Sequence, residues 1–305
     1  MDAMETKLFR KLDDDEKNDE FIAVESRTFL QSVWHDFTGN QRAVAGAIIL
    51  IIVVLMAIFG PMMCKYSYAE QNMSLRNASP SMDHWFGTDR MGRDIFVRIL
   101  FGARISLAVG CLAAVINLIV GTIYGGIAGY VGGKVDMVMM RIVDIIYSVP
   151  AMLYIVLIML IFGASVISIM LGISITCWID MARIVRQQVK SLKEQEFTMA
   201  AFVLGASPSR ILIKHLLINT MGQIIVTVTL MVPQAIFTEA WLSFLGVGIS
   251  APMASWGTLA QDARQLIMTY PMQTVYPMIA ICITIFSFNF VGEGLEKALD
   301  PKRKR

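Results

Sequence analysis

EFTMAAFVLGASPSRILIKHLLIN, residues 196–219, lies between two long apolar runs yet carries Glu196, Arg210, Lys214 and His215. Charges at that density are costly in hydrocarbon, so the stretch reads as a water-exposed loop between membrane-embedded segments. Its local grammar is two short helices broken by a bend. The spacing predicts the first over residues 195–204, with Phe197, Ala200, Ala201 and Leu204 on one face. Gly205 follows, suited to the left-handed conformation just past a helix end. Ser207 is placed to cap a second helix and Pro208 to occupy its first position. Ile211, Leu212, Arg210 and Lys214 give that second short helix an amphipathic pattern. A bent, partly apolar knob in an aqueous loop has the form of a docking element. An amphipathic loop touching only lipid headgroups would fit the same residues.

Composition agrees with a membrane setting. Of 305 residues, 56% are hydrophobic and only 16% charged, against about 25% charged in soluble domains. So much apolar surface cannot be hidden in a soluble core of this size, and the chain is read as an integral membrane protein. The net charge of +2 says nothing about nucleic acid, but no basic cluster is interleaved with aromatics in an aqueous stretch, so no nucleic-acid partner is expected and the lipid membrane is. Four cysteines, Cys64, Cys111, Cys177 and Cys282, have no paired spacing and are read as free thiols. Three histidines show no metal spacing, and His84 is read as a solvated structural residue. The run ending Gly132-Gly133-Lys134 lacks a phosphate loop, because Ala128 and Val135 stand at the required glycine and hydroxyl positions. Residues 246–251 mimic a dinucleotide turn without a strand–helix unit around it. No catalytic site, metal or cofactor is expected.

Taken in order, residues 1–25 form a polar, mixed-charge tail with an acidic run at 13–16, not a signal peptide. Residues 26–41 predict a short helix in the membrane interface, with Phe29, Val33, Trp34 and Phe37 on one face and Trp34 at headgroup depth. The first span is residues 44–63, long enough for a ~30 Å hydrocarbon core. A unit of residues 42–104 thus joins a first transmembrane helix to a polar outer segment, in which Thr88 or Asp89 caps a helix starting near Arg90 and Arg93 pairs with Asp89 or Asp94. Span two is residues 105–130. Its glycines at 121, 125, 129 and 133 permit close backbone approach, either to another subunit or within the chain. Between Asp144 and Asp180 lie 35 uncharged residues, read as spans three and four with a turn at 162–165 and a kink at Pro150. Arg141 with Asp144, and Asp180 with Arg183, are spaced to pair within their own helices. Span five is residues 220–245 and holds Glu239, either a functional acid on the translocation path or one hydrated or capped near the outer end. Trp256 in the outer loop is placed at the interface, and span six is residues 275–291. Residues 105–295 form the core, with its loop at 190–219, and residues 296–305 a basic tail. With both ends inside, 19 of the 26 Lys and Arg fall on the inner side, which sets the orientation.

Two features resemble a known family. Residues 196–219 resemble the coupling loop of bacterial ABC importer permeases, with Ala200, Ala201 and Gly205 in register; Met199 stands where the family has Glu, and Ile218 where it has Pro. Gly87, Thr88, Asp89, Gly92, Arg93 and Asp94, followed by Gly102, Ala103, Arg104, Ser106 and Leu107, resemble the paired signature of the peptide and nickel branch, permease C type. Residues 242–246 and 255–257 extend the likeness, which covers roughly residues 26–300. The resemblance implies an all-α type I ABC importer permease fold with six transmembrane helices and a cytoplasmic coupling helix. It implies coupling through Met199, Ala200, Ala201, Gly205 and Ser207, with Met199 replacing a salt bridge by an apolar contact. The expected partners are a homologous second permease, two ABC ATPase subunits that bind the ATP, and an extracytoplasmic peptide-binding protein. The expected place is the bacterial cytoplasmic membrane, crossed several times with both termini cytoplasmic, and the expected cargo di- or oligopeptides. A nickel or metal-chelate permease of the same branch is the alternative. A secondary transporter or channel would need buried ionisable relays or an internal repeat, and an intramembrane enzyme a partnered nucleophile.

Overall fold

A segment in hydrocarbon must satisfy its backbone polar groups internally, so uninterrupted apolar runs of this length fold as helices. The computed structural model describes residues 28–249 and 252–299, and no β-strand occurs among them. The tail expected at 1–25 lies outside the described residues, as do residues 300–305. The helices are α1 (Phe29–Thr38), α2 (Gln41–Met63), α3 (Ile95–Val131), α4 (Gly133–Ser148), α5 (Ala151–Phe162), α6 (Val166–Lys193), α7 (Glu196–Val203), α8 (Pro208–Phe244), α9 (Trp256–Ala263) and α10 (Pro271–Leu299). Five are long and apolar enough to cross a membrane, and α4 with α5, bent by 76° at Val149-Pro150, meets the same test as a pair and makes a sixth when the two are taken as one span. The kink expected at Pro150 is therefore a break.

Most spans begin or end beyond the limits set by charge. Span two starts at Ile95 rather than Ile105, so the boundary drawn between residues 104 and 105 cuts through α3. The helix tolerates Arg98 and Arg104 because both are paired. Pro61 in α2 lacks the N–H that would bond the Ala57 carbonyl; Arg104 Nε donates to that carbonyl and Nη2 to Ile58, each at 2.6 Å. Similarly, the second short helix expected after Pro208 is the first part of α8, which runs to Phe244 through a π turn at Ile211–Leu217. The last span, expected from Val275 to Val291, runs from Pro271 to Leu299 and takes in residues 296–299 of the expected tail.

Close approach within the chain accounts for the glycine row. An added Cβ on Gly121 would lie 2.6 Å from Met181 Cβ, one on Gly129 2.7 Å from the Arg186 carbonyl, and one on Gly125 would collide with the Ala182 backbone. Glycines of α3 thus seat α6. Gly133 meets nothing and forms part of the turn into α4. Arg183 crosses to Asp144 at 3.1 Å instead of pairing with Asp180 within α6. Near the other end of α6, Arg186 and Lys190 both reach Asp136.

The signature block folds into an ionic anchor beside the start of α3. Asp94, not Thr88 or Asp89, caps this helix, accepting from the Val97 N–H at 2.9 Å. Thr88 instead donates to the Leu75 carbonyl in the preceding loop. Gly87 and Gly92 adopt φ of +75° and +70°, and a side chain on either would collide with backbone at Ala78 or Asn72. Asp89 accepts from Met91 and Arg93 backbone N–H groups, from Arg93 Nε at 2.7 Å and from Arg98 Nη1 at 2.6 Å. Asp262 of α9 closes the cluster, accepting from Arg93 at 3.1 Å and Arg98 at 3.3 Å, and faces Arg90 at 3.5 Å. His84 is buried rather than solvated: its Nδ1 lies 2.7 Å from Asp94 and its ring stacks on Tyr66. Trp256, expected at the interface, is also buried, donating Nε1–H to the Ile99 carbonyl at 3.1 Å. The capping box of Ser255 and Thr258 starts α9 there and turns the indole inward.

Burial alone would raise the Asp89 carboxyl, but the Arg98 charge and the hydrogen bonds and charge of Arg93 outweigh it and hold the group below its ordinary 3.8. A carboxylate depressed on folding contributes stability that is present above its ordinary value and is lost as the pH falls through the folded one. Thermal unfolding in detergent from about pH 6 to about pH 3 is expected to show an acid-side loss in the wild type that Asp89→Asn lacks. Asp262→Ala, which leaves Asp89 as the one remaining carboxylate for the buried Arg93 and Arg98, is expected to cost about 3 kcal/mol in the same assay. Gly125→Ala is expected to lower the unfolding midpoint by overpacking, at about 1–3 kcal/mol. Gly126→Ala, whose added Cβ meets only side-chain atoms at 3.5 Å or more, is expected to leave it unchanged or raise it.

Candidate functional site

The knob between α6 and α8 is built by a helix stop and an apolar anchor. Leu204 ends α7, and Gly205 takes φ +80°. The Gly205 N–H bonds the Phe202 carbonyl and the Ala206 N–H the Ala201 carbonyl, both at 3.0 Å, the paired bonds of a Schellman stop. Ser207 occupies the cap position before Pro208 with no side-chain bond into the helix; its Oγ lies 3.4 Å from that of Ser209. Thr198 Oγ1 donates to the Leu192 carbonyl at 2.8 Å, tying α7 to the end of α6. Ala201 joins one buried apolar cluster with Met181, Val185 and Val189 of α6 and Ile211, Leu216 and Ile224 of α8.

The face turned inward differs from the one expected. Thr198 and Ala201 are buried, whereas Phe197, Ala200 and Leu204 are exposed. Met199 is 62% exposed, Phe202 72%, Val203 82% and Leu204 86%, so the tip presents large apolar side chains to water on either side of the buried Ala201. Phe197, Ala200, Ala201 and Leu204 fit one helical stripe in sequence, but the α6–α8 cleft admits only the small Ala201 and the hydroxyl that can bond Leu192.

Glu239 lies inside the protein with no exposure. Ser106 Oγ donates to it at 3.1 Å and Ser243 Oγ at 2.8 Å. Ser106 Oγ in turn accepts from the Trp256 N–H at 3.3 Å. The acid thus joins α3, α8 and α9 and is not hydrated at the membrane surface. An added Cβ on Gly257 would lie 2.6 Å from Ala240 Cα, which shows how closely α9 is pressed onto α8 above it. Ser106 and Ser243 were not legible as its partners, although both lie in the recognised blocks.

A cleft of about 460 Å³ opens at the α4–α5 break. Ser148 and Pro150 from the break, Thr176 and Asp180 of α6, and Gln234 and Thr238 of α8 contribute to its walls. Its walls include Met231, Gln234, Ala235 and Thr238 of α8, which lead up to Glu239 in sequence, but not Glu239 itself. Broken helix at membrane depth is tolerated where it lines a cavity. Among the described residues no group of His, Cys, Asp and Glu has the arrangement of a metal site.

Residues 121–305 match the family model described as binding-protein-dependent transport system inner membrane component, and residues 28–80 match the N-terminal TM domain of oligopeptide transport permease C. The oligopeptide transport system permease protein OppC of Bacillus subtilis is 50% identical over 278 residues, which cover 90% of this chain and 91% of that protein. The dipeptide transport system permease protein DppC of the same organism is 45% identical, over 95% of this chain and 92% of that one. OppC of Escherichia coli K12 is 42% identical, over 93% and 94%. With the spans, the knob and the signature anchor all inside these matches, the chain belongs to the binding-protein-dependent transport system inner membrane component family, the permease subunits of bacterial ABC importers, in its peptide-transport branch.

Proposed function

We propose that this chain is the passive gate of an ATP-driven peptide importer, moved by ATPase subunits that grip its knob. The observation that carries the reading is the apolar tip at Met199, Phe202, Val203 and Leu204, exposed to water yet joined through Ala201 to both α6 and α8. Exposed apolar surface of this kind marks a protein contact. Here Met199, Ala200, Gly205 and Ser207 lie on or beside the contact, and Ala201 transmits its displacement to the spans. The Asp89 cluster and Arg104 keep the opposite end fixed, so a push on the knob tilts helices instead of dissipating in loops.

The names of the relatives support di- or oligopeptides as cargo over nickel chelates. In this reading a homologous second permease completes the pathway, two ATPases sit under the knob side, and an extracytoplasmic binding protein delivers peptide at the side of residues 64–94. The excess of Lys and Arg on the knob side supports both termini being cytoplasmic. ATP chemistry belongs to the partner subunits, and this chain requires no cofactor of its own. Alternating access then follows from differential contacts: the ATPase pair must bind the knob differently in its closed and open states.

The reading is tested by reconstituting the chain with its second permease, ATPases and binding protein. Peptide-loaded binding protein is expected to raise ATP hydrolysis and drive uptake; an assembled complex that hydrolyses ATP at the same rate with or without it would sink the proposal. Phe202→Asp and Val203→Asp are expected to cut peptide-stimulated hydrolysis and uptake at least about tenfold, the loss of one apolar hot spot, with the unfolding midpoint unchanged. Met199→Asp is expected to act in the same direction. Ala201→Asp is expected to lose coupling and stability together, because that side chain is buried.

A further inference from the structure

Asp180 stands midway along α6 and faces the cleft at the α4–α5 break. The cation nearest it in sequence, Arg183, is committed elsewhere: its guanidinium bonds Asp144 at 3.1 Å and lies 4.4 Å from the centre of the ring of Tyr147, itself on the cleft wall. Among the described residues no cation stands within ion-pair distance of Asp180, and no hydrogen bond satisfies its carboxylate. Apart from the Tyr147 phenol and the Cys177 thiol, the remaining polar groups on the cleft wall are Ser148, Thr176, Gln234 and Thr238, all neutral. The three hydroxyls donate to carbonyls of their own helices, while the Gln234 side-chain amide has both a donor and an acceptor uncommitted. An intramembrane carboxylate is retained where it faces a water-filled cavity or a cationic cargo. A cleft of about 460 Å³ is far larger than a single ion needs and falls in the range of small-ligand sites.

We propose that Asp180 is the subsite for the cationic end of the cargo, the α-ammonium group of a peptide in transit, with the Gln234 amide meeting a peptide bond beside it. The proposal rests on the importer reading above and names the residue that reads the cargo's charge. One carboxylate among neutral donors and acceptors holds an ammonium group by a charge-assisted hydrogen bond, while the amide wall accepts main chain of any side-chain sequence. The site therefore selects for a free amino terminus and tolerates varied side chains.

The test uses the full reconstituted complex with saturating, preloaded binding protein, so that delivery is held constant. Uptake of one short peptide is compared with uptake of its N-acetylated form in wild type, Asp180→Asn and Asp180→Glu. Removing one charged hydrogen bond is expected to lower uptake of the free-amino peptide about tenfold in Asp180→Asn, with Asp180→Glu retaining most of it. Acetylation is expected to cost the wild type a similar factor and the Asn variant nothing further. Wild-type uptake of the free-amino peptide by Asp180→Asn would overturn the proposal, as would an acetylation penalty equal in both proteins. Peptide-stimulated ATP hydrolysis, followed in the same preparations, reports on the importer reading by itself: its persistence alongside unchanged uptake in the Asn variant sinks only the role of Asp180.

Discussion

Hydrocarbon offers no partner to a polar group, and the buried polar side chains of this chain are disposed accordingly. Arg104 can sit in a span because Pro61 has left a carbonyl of α2 without its helical donor. Arg98 can sit in one because two carboxylates converge on it at the same end, Asp89 from the preceding loop and Asp262 from α9. Glu239 is enclosed by hydroxyls from two helices, one of which also receives an N–H from the start of α9. These arrangements do two jobs at once. They permit charge at membrane depth, and they fasten helices that apolar packing alone would hold less specifically.

The two ends of the bundle are consequently built from different materials. One end is ionic and cross-braced, joining the 64–94 segment, α3 and α9 through Asp89, Arg93, Arg98 and Asp262. The other sets an apolar cluster beside the Asp136 pairs of Arg186 and Lys190, with Ala201 embedded between α6 and α8 and a water-facing apolar tip beyond it. Between them, the α4–α5 break and its cleft interrupt an otherwise continuous wall of helix. On the proposed reading, alternating access needs one part that stays, one that is pulled and one that opens, and the contrast among these three regions supports that division.

Much of this was legible along the chain. Apolar run lengths identified the six crossings, the Gly205-Ala206-Ser207-Pro208 sequence marked the knob's bend, and Pro150 marked the break. The glycine row was legible as a close contact, with its partner, α6, left open. The misreadings share one cause: sequence reports local spacing, whereas polar groups choose partners in three dimensions. Arg183 had an acid three residues away and took Asp144 from another helix. Asp262 is the one acid of its outer loop, which marks it as the available partner for the arginines of the outer segment, yet nothing local links it to Arg98. Span two was drawn to begin after Arg104 because an isolated cation would end a crossing; paired, Arg98 and Arg104 do not. Trp256 looked like an interfacial anchor because tryptophan so often is one, until the cap at Ser255 and the close seating of α9 fixed it indoors. The inward face of α7 was misjudged because apolar spacing was weighed without the size of the cleft that receives it.

The knob's tip carries no charged side chain at Met199, Phe202, Val203 or Leu204. A grip made on such a surface draws its strength from water released on contact rather than from attraction between ions. Ionic strength, which loosens exposed charge pairs within a Debye length, leaves a grip of this sort intact. Cold does not, since the driving force behind released water fades as temperature falls. A cell relying on this joint would keep its transmission through swings in salt and feel it slacken first in a chill.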